Sequence, residues 1–352
     1  MKLSLLGDTH FGARGDSPVF DQFFKQFYEE VFFPYLEANN INTIIQLGDV
    51  FDRRKYVNFQ TLKSCKKYFF DRLNNQYNSW LLVGNHDTFY KNTNEVNSLN
   101  LLLGEFDKIN TITDPKEYMF GDTKILIIPW ICPENEQQVF EAIKATDAQI
   151  CIGHFEIQGF EMHQGAIIDV GLSPSVFNKF DMVFSGHYHH RSTKQNITYV
   201  GTPYEMTWSD YNDIKGFHIL DTETRELQFV PNPLCMFFKH HYDDKDKTME
   251  DVLLDDFSVY NKAIVKVVVR NKTNPYWFDM LIDKIEKAGA IDISVVDDHF
   301  NLNLEQDEDI VNEAEDTLTI LNKYISQLQV NTDKQSLEKL LRSLYSEALT
   351  AE

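Results

Sequence analysis

Short apolar runs recur along the first 235 residues and are separated by polar or amphipathic segments. Six mostly apolar runs lie at 3–6, 43–47, 79–83, 125–128, 149–152 and 182–184. Continuous apolar runs are typical of strands that are buried on both faces. Between them, residues 18–39 and 60–75 repeat apolar positions at helical spacing. The pattern therefore predicts a layered α/β domain.

The pattern changes after residue 196. Residues 197–230 contain short strands separated by turn residues, which predicts antiparallel hairpins. After a polar stretch at 241–256, the chain predicts a strand (262–269), a helix opened by Pro275 (275–288), a strand (290–296) and a helix (306–328). This order is a small βαβα module. We expect a large domain over 1–240, a smaller α+β capping domain over 257–330 and a C-terminal helix over 331–352.

The C-terminal segment has the pattern of a short amphipathic helix. Thr332 and Gln335 stand at the spacing of a capping box. The apolar side chains that follow form one stripe of the helix: Leu337, Leu340, Leu341, Leu344, Tyr345 and Ala348. A helix this short needs a surface to bury its stripe. That surface is either its own smaller domain or a partner protein.

Composition restricts the class of protein without identifying a substrate. With 352 residues, 43% of them hydrophobic, the chain can bury a sizeable core. Its net charge of −21 is opposite in sign to that of most nucleic-acid-binding domains. The acidic residues are concentrated after residue 240, where 24 acidic residues accompany 12 basic ones, whereas residues 1–240 carry 30 and 21. A DNA-binding surface in the large domain is therefore permitted by charge but not predicted by it.

The sequence predicts neither a membrane span nor an exported protein. No apolar run approaches the roughly 18 to 20 residues that a membrane helix needs, and the N-terminal run is expected to be a strand rather than a signal peptide. The four cysteines, Cys65, Cys132, Cys151 and Cys235, are widely spaced and form no Cys-x-x-Cys pair. Free thiols in a reducing compartment are the simplest interpretation, so we expect a cytoplasmic protein.

Five of the apolar runs end in residues that can bind metal ions. These segments are Gly7-Asp8-Thr9-His10, Gly48-Asp49-Val50-Phe51-Asp52, Gly84-Asn85-His86-Asp87, Gly153-His154 and Gly186-His187-Tyr188-His189. Open α/β sheets bind their ligands at the carboxyl ends of strands. Each segment alone has an ordinary explanation: an Asp-x-His pair arises by chance, and Asp52 or Asp87 could cap a helix. Five segments in this order predict a dinuclear metal site.

The ordered set D-x-H, G-D-x-x-D, G-N-H-D, G-H and G-H-x-H resembles the calcineurin-like metallophosphoesterases. Three further segments are similar to the SbcD-type nucleases, in particular to the recombination nuclease subunits of T-even-like phages: FDRRKYVN, LIIPWICPEN and YVGTPYEMTWSDYND. The resemblance extends over essentially the whole chain. It implies a calcineurin-like fold of β-sheets flanked by helices, with a smaller capping domain and a terminal helix.

Carried over position by position, the resemblance implies seven metal ligands. One ion would be held by Asp8, His10 and His189. The other would be held by Asn85, His154 and His187. Asp49 would bridge the two ions. Oxygen donors mixed with imidazoles suit two Mn²⁺ ions, with Mg²⁺ as the alternative. Because two such ions activate water, no serine, cysteine or threonine nucleophile is expected.

His86 is not a ligand in this scheme. Its neighbour Asn85 binds metal, so His86 is expected to face the scissile phosphate and to protonate the departing sugar oxygen. Asp52 is its expected orienting partner, although archaeal and eukaryotic relatives carry histidine at that position. His163 matches no motif and is expected at the surface or beside the ligands, and His190 is not expected to bind metal.

Basic residues follow the first two motifs. Arg14, Arg53, Arg54 and Lys55 should lie in loops beside the metal ions. Contact with DNA phosphates and ordinary solvated loop charge are equally compatible with these positions.

The resemblance implies a DNA nuclease, a 3′-to-5′ exonuclease with endonuclease activity that acts in recombination, repair and replication. In the family this subunit works with an SbcC-type ABC ATPase, which it grips through the C-terminal helix, here through Leu337, Leu340, Leu341 and Leu344. The family also implies a homodimer formed by helices expected around 60–75 and 88–104. Because the chain is acidic, we expect it to bind DNA weakly alone.

Two other functions use the same motifs. A phosphomonoesterase or cyclic-nucleotide phosphodiesterase would keep the metal ions and change the substrate, but it would need neither the βαβα module nor the terminal helix. A non-catalytic architectural subunit would be expected to lose at least one ligand, and all seven positions and His86 are present. The nuclease interpretation therefore leads.

Overall fold

The computed structural model describes residues 1–297. Its strands are β1 (Lys2–Leu6), β2 (Thr43–Gln46), β3 (Asn78–Leu82), β4 (Ile109–Ile112), β5 (Lys116–Phe120), β6 (Thr123–Ile128), β7 (Ile150–His154), β8 (Glu161–His163), β9 (Ala166–Ile167), β10 (Met182–Gly186), β11 (Ser192–Lys194), β12 (Ile197–Tyr199), β13 (Gly216–Asp221), β14 (Leu227–Pro231), β15 (Phe237–Asp243), β16 (Ile264–Asn271) and β17 (Asp292–Asp297). Its α-helices are α1 (Ala13–Asp16), α2 (Pro18–Phe27), α3 (Phe33–Ala38), α4 (Phe59–Cys65), α5 (Asp71–Gln76), α6 (Ser98–Leu103), α7 (Glu136–Ala145), α8 (Met249–Val252) and α9 (Pro275–Lys287). Shorter 3-10 helices lie at Pro174–Phe177, Trp208–Asp210 and Phe257–Tyr260.

Two six-stranded sheets form the large layered unit. Their strand orders are β14-β13-β1-β2-β3-β4 and β11-β12-β10-β7-β6-β5. Strands β1 to β4 are parallel to one another, as are β6, β7, β10 and β12. One apolar cluster joins the inner faces, with Leu5 and Ile45 from the first sheet and Ile127 and Ile152 from the second. The layered α/β class predicted from the continuous apolar runs is confirmed.

Helices cover the outer faces of both sheets. Helix α7 packs Val139 and Ile143 into the apolar cluster on the second sheet. On the first sheet, α2 buries its apolar face, and the segment after it places the Phe32 ring 4.9 Å from that of Phe217 in β13. The apolar side chains that recur at helical spacing in residues 18–39 therefore form the buried face of this helical layer.

Each of the two long helical segments contains a π-helical turn that the sequence analysis did not predict. These turns, Tyr28–Phe32 and Lys66–Phe70, join α2 to α3 and α4 to α5. In the first, the N–H of Phe33 donates to the carbonyl of Tyr28, five residues back. Pro34 follows directly, and a proline ring clashes with the carbonyl four residues before it in a regular α-helix. The wider turn relieves that clash.

The prediction of a helix around residues 88–104 was wrong for most of that range. Only Ser98–Leu103 is helical, and it is capped by the side chain of Asn97, which accepts the N–H of Asn100. Residues 88–97 form a loop closed by a bridge between Thr88 and Asn97. Asparagine favours such caps and turns over helix interiors, so the helix begins only after Asn97.

Strands β15, β16 and β17 form a third sheet in which all strands are parallel. Helix α9 buries Leu281 and Ile285 against its cluster. The sequence analysis placed a boundary at residue 240 and read 241–256 as polar, whereas β15 crosses that boundary. The domain limits stay predictions. The expected helices at 306–328 and 331–352, with Leu337, Leu340, Leu341 and Leu344, lie outside the described residues.

Within residues 1–297, every helix is too short or too polar to span a bilayer. All four cysteines lie in this range and are free, three of them buried.

Glu205 gives the large unit a pH-dependent stability. Its buried carboxylate accepts the backbone N–H groups of Met236 and Phe237, and burial raises the pKa of this carboxyl to about 7. Between about pH 4.5 and 7 the folded protein therefore keeps a proton that the unfolded chain has released, and stability falls as pH rises. Glutamine cannot ionise, so the melting temperature of Glu205→Gln minus that of the wild type should increase from about pH 5 to about pH 8. Thermal melts at both pH values measure this gain, and an offset that does not change with pH would contradict it.

Candidate metal centre

The motifs that the sequence analysis singled out meet where the carboxyl ends of the central strands converge. Strands of the first sheet lead into three motifs and strands of the second lead into two: Asp8 and His10 follow β1, Asp49 follows β2, Asn85 follows β3, His154 ends β7, and His187 and His189 follow β10. Strands β7 and β10 are neighbours, with Gly186 in register with His154. The expectation that these segments lie at strand ends is confirmed.

The first ligand set consists of Asp8, His10 and His189. Nε2 of His189 lies 3.2 Å from Nε2 of His10 and 4.0 Å from Oδ2 of Asp8. One potential ligand atom from each of the three residues lies within 4.8 Å of the others. Asp8 and His10 are buried, and His189 retains some exposure. The three side chains converge as ligands of one cation do.

The second ligand set consists of Asn85, His154 and His187. The Asn85 Oδ1 atom lies 2.9 Å from both Nε2 of His154 and Nδ1 of His187. The other ring nitrogen of His154 lies 2.7 Å from the carbonyl oxygen of Leu47, which can accept its N–H. Such a contact fixes the tautomer of a metal-binding histidine and directs its free nitrogen toward the ion.

Asp49 lies between the two ligand sets. Its Oδ2 atom is 3.3 Å from Nε2 of His154 and 3.9 Å from Nε2 of His10. Its Oδ1 atom accepts the backbone N–H of His86 at 2.7 Å, which fixes the orientation of the carboxylate. A carboxylate in this position has the geometry of a bridging ligand.

The backbone is shaped so that these donors approach one another. A Cβ atom on Gly84 would lie 2.2 Å from the carboxylate of Asp49, and one on Gly186 would lie 2.5 Å from that of Asp8. His10, Asp49 and His187 all adopt positive φ angles, of 42°, 51° and 86°. Such strained conformations persist only where the surrounding structure fixes them, and they concentrate at functional sites.

Burial and neighbouring charges shift the pKa values of the ionisable groups at the site in different directions. Burial raises the pKa of the Asp8 carboxyl to about 7, despite the nearby imidazole of His154. Burial alone would lower the pKa of His154, but the adjacent carboxylate of Asp49 raises it to about 9. Burial, together with the neighbouring His154, lowers the pKa of His187 to about 3, so its imidazole is neutral. Ligands must be deprotonated to bind a divalent metal ion, so a cation at this site would displace the proton that the carboxylates attract to His154.

The donor set therefore fits two divalent cations. It consists of carboxylate oxygens, one amide oxygen and imidazole nitrogens, the mixture that suits Mn²⁺ and related ions. The structure brings all seven predicted ligand residues together.

His86 lies beside the ligands as expected, but its contact with Asp52 differs from the expected one. Nδ1 of His86 is 2.6 Å from the backbone carbonyl oxygen of Asp52. The Asp52 carboxylate lies 3.4 Å from Nδ1 of His10, a residue of the first ligand set. If the carbonyl accepts the Nδ1 proton, Nε2 of His86 is the nitrogen that can exchange a proton with substrate.

The four basic residues differ in their surroundings. Arg14 and Lys55 are exposed, whereas Arg53 and Arg54 are half-buried. Arg53 pairs with the Asp16 carboxylate at 3.3 Å and donates to the hydroxyl of Tyr56. Part of the positive charge of these loops is therefore neutralised within the protein.

Two residues have roles at the site that the sequence analysis did not predict. The buried carboxylate of Asp87 accepts the backbone N–H groups of Val50 and Gly84, so it ties the second motif to the third. The ring of Trp130 packs 5.2 Å from that of His187. The last position of G-N-H-D and the tryptophan of LIIPWICPEN were the available signals, but neither indicates a contact by itself.

His163 lies beside the first ligand set. Its ring is 5.5 Å from that of His189, and His163, His189 and Asp210 form a third group of close ligand atoms. His190 belongs to neither ligand set, and its Nδ1 lies 3.0 Å from the Asp213 carboxylate.

Comparison with known proteins gives the same family as the motifs. The calcineurin-like phosphoesterase family matches residues 1–191. Exonuclease subunit 1 of Enterobacteria phage T4 is 30% identical over 99% of this chain and 99% of its own length. One subunit of the nuclease SbcCD from Staphylococcus epidermidis is 29% identical over 43% of this chain and 42% of its own length.

Proposed function

The chain belongs to the calcineurin-like phosphoesterase family, and on that premise we propose that it is the nuclease subunit of a DNA-processing complex. It would hydrolyse phosphodiester bonds as a 3′-to-5′ exonuclease and an endonuclease in recombination, repair and replication. The observation that carries the proposal is the position of Asp49 between two complete ligand sets. When bound, two cations supply an activated water and neutralise charge on the phosphate.

The protein groups around the cations would orient and protonate the substrate. The first and second ligand sets would hold the two positive charges in fixed positions, and a phosphate bound there would be held in one orientation. His86 lies beside both sets, and its Nε2 would donate a proton to the departing sugar oxygen. The carbonyl of Asp52 would hold the His86 ring in position through Nδ1.

We assign the two cation positions to Mn²⁺, with Mg²⁺ as the alternative. The four histidine nitrogens favour Mn²⁺, because Mg²⁺ prefers oxygen ligands and retains bound water.

The partner would be an SbcC-type ABC ATPase, bound through the predicted helix at 331–352. Two observations support this assignment: the relatives are named as subunits, and the described basic loop is partly neutralised by Asp16. A chain that binds DNA weakly alone would gain affinity from such a partner. With its free cysteines, the protein would act in the cytoplasm, which is that of the host cell if the protein is phage-encoded.

The test is cleavage of 3′-labelled and 5′-labelled DNA, as duplex and single strand, in Mn²⁺, with a chromogenic phosphomonoester assayed in parallel. We expect DNA to be shortened from its 3′ ends and the monoester to remain intact. An Asp49→Asn preparation, purified identically, controls for contaminating nucleases. Turnover of the monoester while DNA survives, even with an ATPase partner and ATP, would instead establish the phosphomonoesterase alternative.

The homodimer would form through α4 and α6. Phe59 at the start of α4 is 89% exposed and Leu101 in α6 is 72% exposed, so each helix presents a large apolar side chain that a dimer interface would cover. We expect the double variant Phe59→Glu/Leu101→Glu to be monomeric at concentrations where the wild type is dimeric, as measured by analytical ultracentrifugation.

Leu254 provides a matched control for this experiment. It is 80% exposed and lies between α8 and β16 in the chain, in neither α4 nor α6. Leu254→Glu should leave the dimer intact. A dimer that survives the double substitution would show that another surface forms it.

A further inference from the structure

Residues 202–206 and 210–215, which we call the clamp segment, contact the backbone of the two motifs that supply the first ligand set. The N–H of Thr202 donates to the carbonyl oxygen of His189 at 3.2 Å, and Nζ of Lys215 donates to the same oxygen at 3.0 Å. The hydroxyl of Tyr204 donates to the carbonyl oxygen of Thr9, between Asp8 and His10, at 2.6 Å.

The ammonium group of Lys215 is held in one place. Its side chain is only 4% exposed, and Nζ lies 2.6 Å from Oδ1 of Asp210 and 2.8 Å from Oδ2 of Asp213. A buried ammonium is stable only when it is paired in this way. Two carboxylates and one carbonyl therefore define its position, and it in turn defines the position of the His189 carbonyl.

We propose that Lys215 is a positioning residue for the cation of the first ligand set, acting through the backbone of His189. The inference rests on the proposed two-cation centre and adds a division of labour within it. The second ligand set is oriented through other groups, such as the Leu47 carbonyl that contacts His154. Loss of the contact between Lys215 and the His189 carbonyl should therefore weaken binding of the cation at the first ligand set and leave binding of the other cation unchanged.

The experiment is a Mn²⁺ titration of the full-length chain, by calorimetry and by electron paramagnetic resonance. We expect two Mn²⁺ ions on the wild type. In Lys215→Met, one of them should bind about 10-fold to about 100-fold more weakly, the usual effect of removing an outer partner of a metal ligand. The other should bind within about twofold of wild type.

Lys179→Met is the matched control. Lys179 is also a lysine that donates to backbone carbonyls, those of Ile143 and Thr146 at the end of α7, but no residue of either ligand set is among these acceptors. Both Mn²⁺ ions should bind this variant as they bind the wild type.

A second variant keeps the test decisive if Lys215→Met does not fold, because that substitution removes the buried ammonium group that pairs with Asp210 and Asp213. Tyr204→Phe removes only the hydroxyl that holds Thr9 and should weaken the same ion selectively. If the folded variants bind both Mn²⁺ ions equally more weakly than the wild type, or bind both as tightly, the positioning role is overturned while the two-cation centre stands. A wild type that binds fewer than two Mn²⁺ ions would overturn the centre itself.

Discussion

Replacement of Asp49 by asparagine is expected to abolish DNA cleavage and to leave the protein with fewer than two bound Mn²⁺ ions. Asparagine has nearly the same shape, and its oxygen can still accept the N–H of His86. The substitution removes the negative charge that lies between Nε2 of His154 and Nε2 of His10. It also places an amide N–H₂ group where a cation should be bound. The fold is therefore kept while the bridge is lost.

The expected size of this effect follows from what the paired cations contribute. Charge stabilisation by metal ions contributes several kcal/mol to the transition state, and this corresponds to a loss of at least about 10³-fold in the cleavage rate. Cleavage of labelled DNA gives the rate, and plasma emission spectrometry of the dialysed protein gives the Mn²⁺ content.

Asp147→Asn is the control for this variant. Asp147 has an 80% exposed side chain and pairs with Lys124 at the surface, so the same chemical change there should alter neither rate nor metal content. If Asp49→Asn retained two tightly bound ions and full activity, Asp49 would not be the bridging ligand.

The convergence of the seven candidate ligand residues could be predicted from the sequence because each follows an apolar run. Parallel strands end at the same edge of a sheet, so residues that follow separate strands meet in space although Asp8 and His189 are 181 positions apart. The motif order then distinguished these residues from isolated aspartates and histidines, and the structure brings all seven together.

Contacts that depend on a particular atom could not be predicted in the same way. The motifs identify Asp52 as a neighbour of His86, but only the structure shows that the backbone carbonyl of Asp52, rather than its carboxylate, contacts the His86 ring. Lys215 had no ligand-like signal, because a lysine that holds a carbonyl has the same sequence pattern as a surface lysine. Strand β15 was missed because a polar stretch follows its first residues, and the π-helical turns were missed because apolar spacing does not reveal one extra residue per turn.

Replacement of His86 by alanine is expected to lower the cleavage rate by about 10²-fold to about 10⁴-fold without changing the Mn²⁺ content. This range is the usual contribution of a positioned proton donor. His86 belongs to neither ligand set, and its backbone N–H, which donates to Asp49, is kept when the side chain is replaced by alanine. The exposed His241 in β15 provides the matched histidine-to-alanine control and should retain full activity.

Comparison with Asp52→Ala separates the two roles at this corner of the site. The carbonyl that contacts His86 remains in that variant, whereas the carboxylate beside Nδ1 of His10 is lost. We therefore expect Asp52→Ala to bind one Mn²⁺ ion about 10-fold to about 100-fold more weakly and to recover much of its cleavage rate at saturating Mn²⁺, which His86→Ala cannot do. An Asp52→Ala variant with normal Mn²⁺ affinity and the same unrecoverable loss as His86→Ala would show that the carboxylate itself orients His86. In that case the first ligand set would not depend on Asp52.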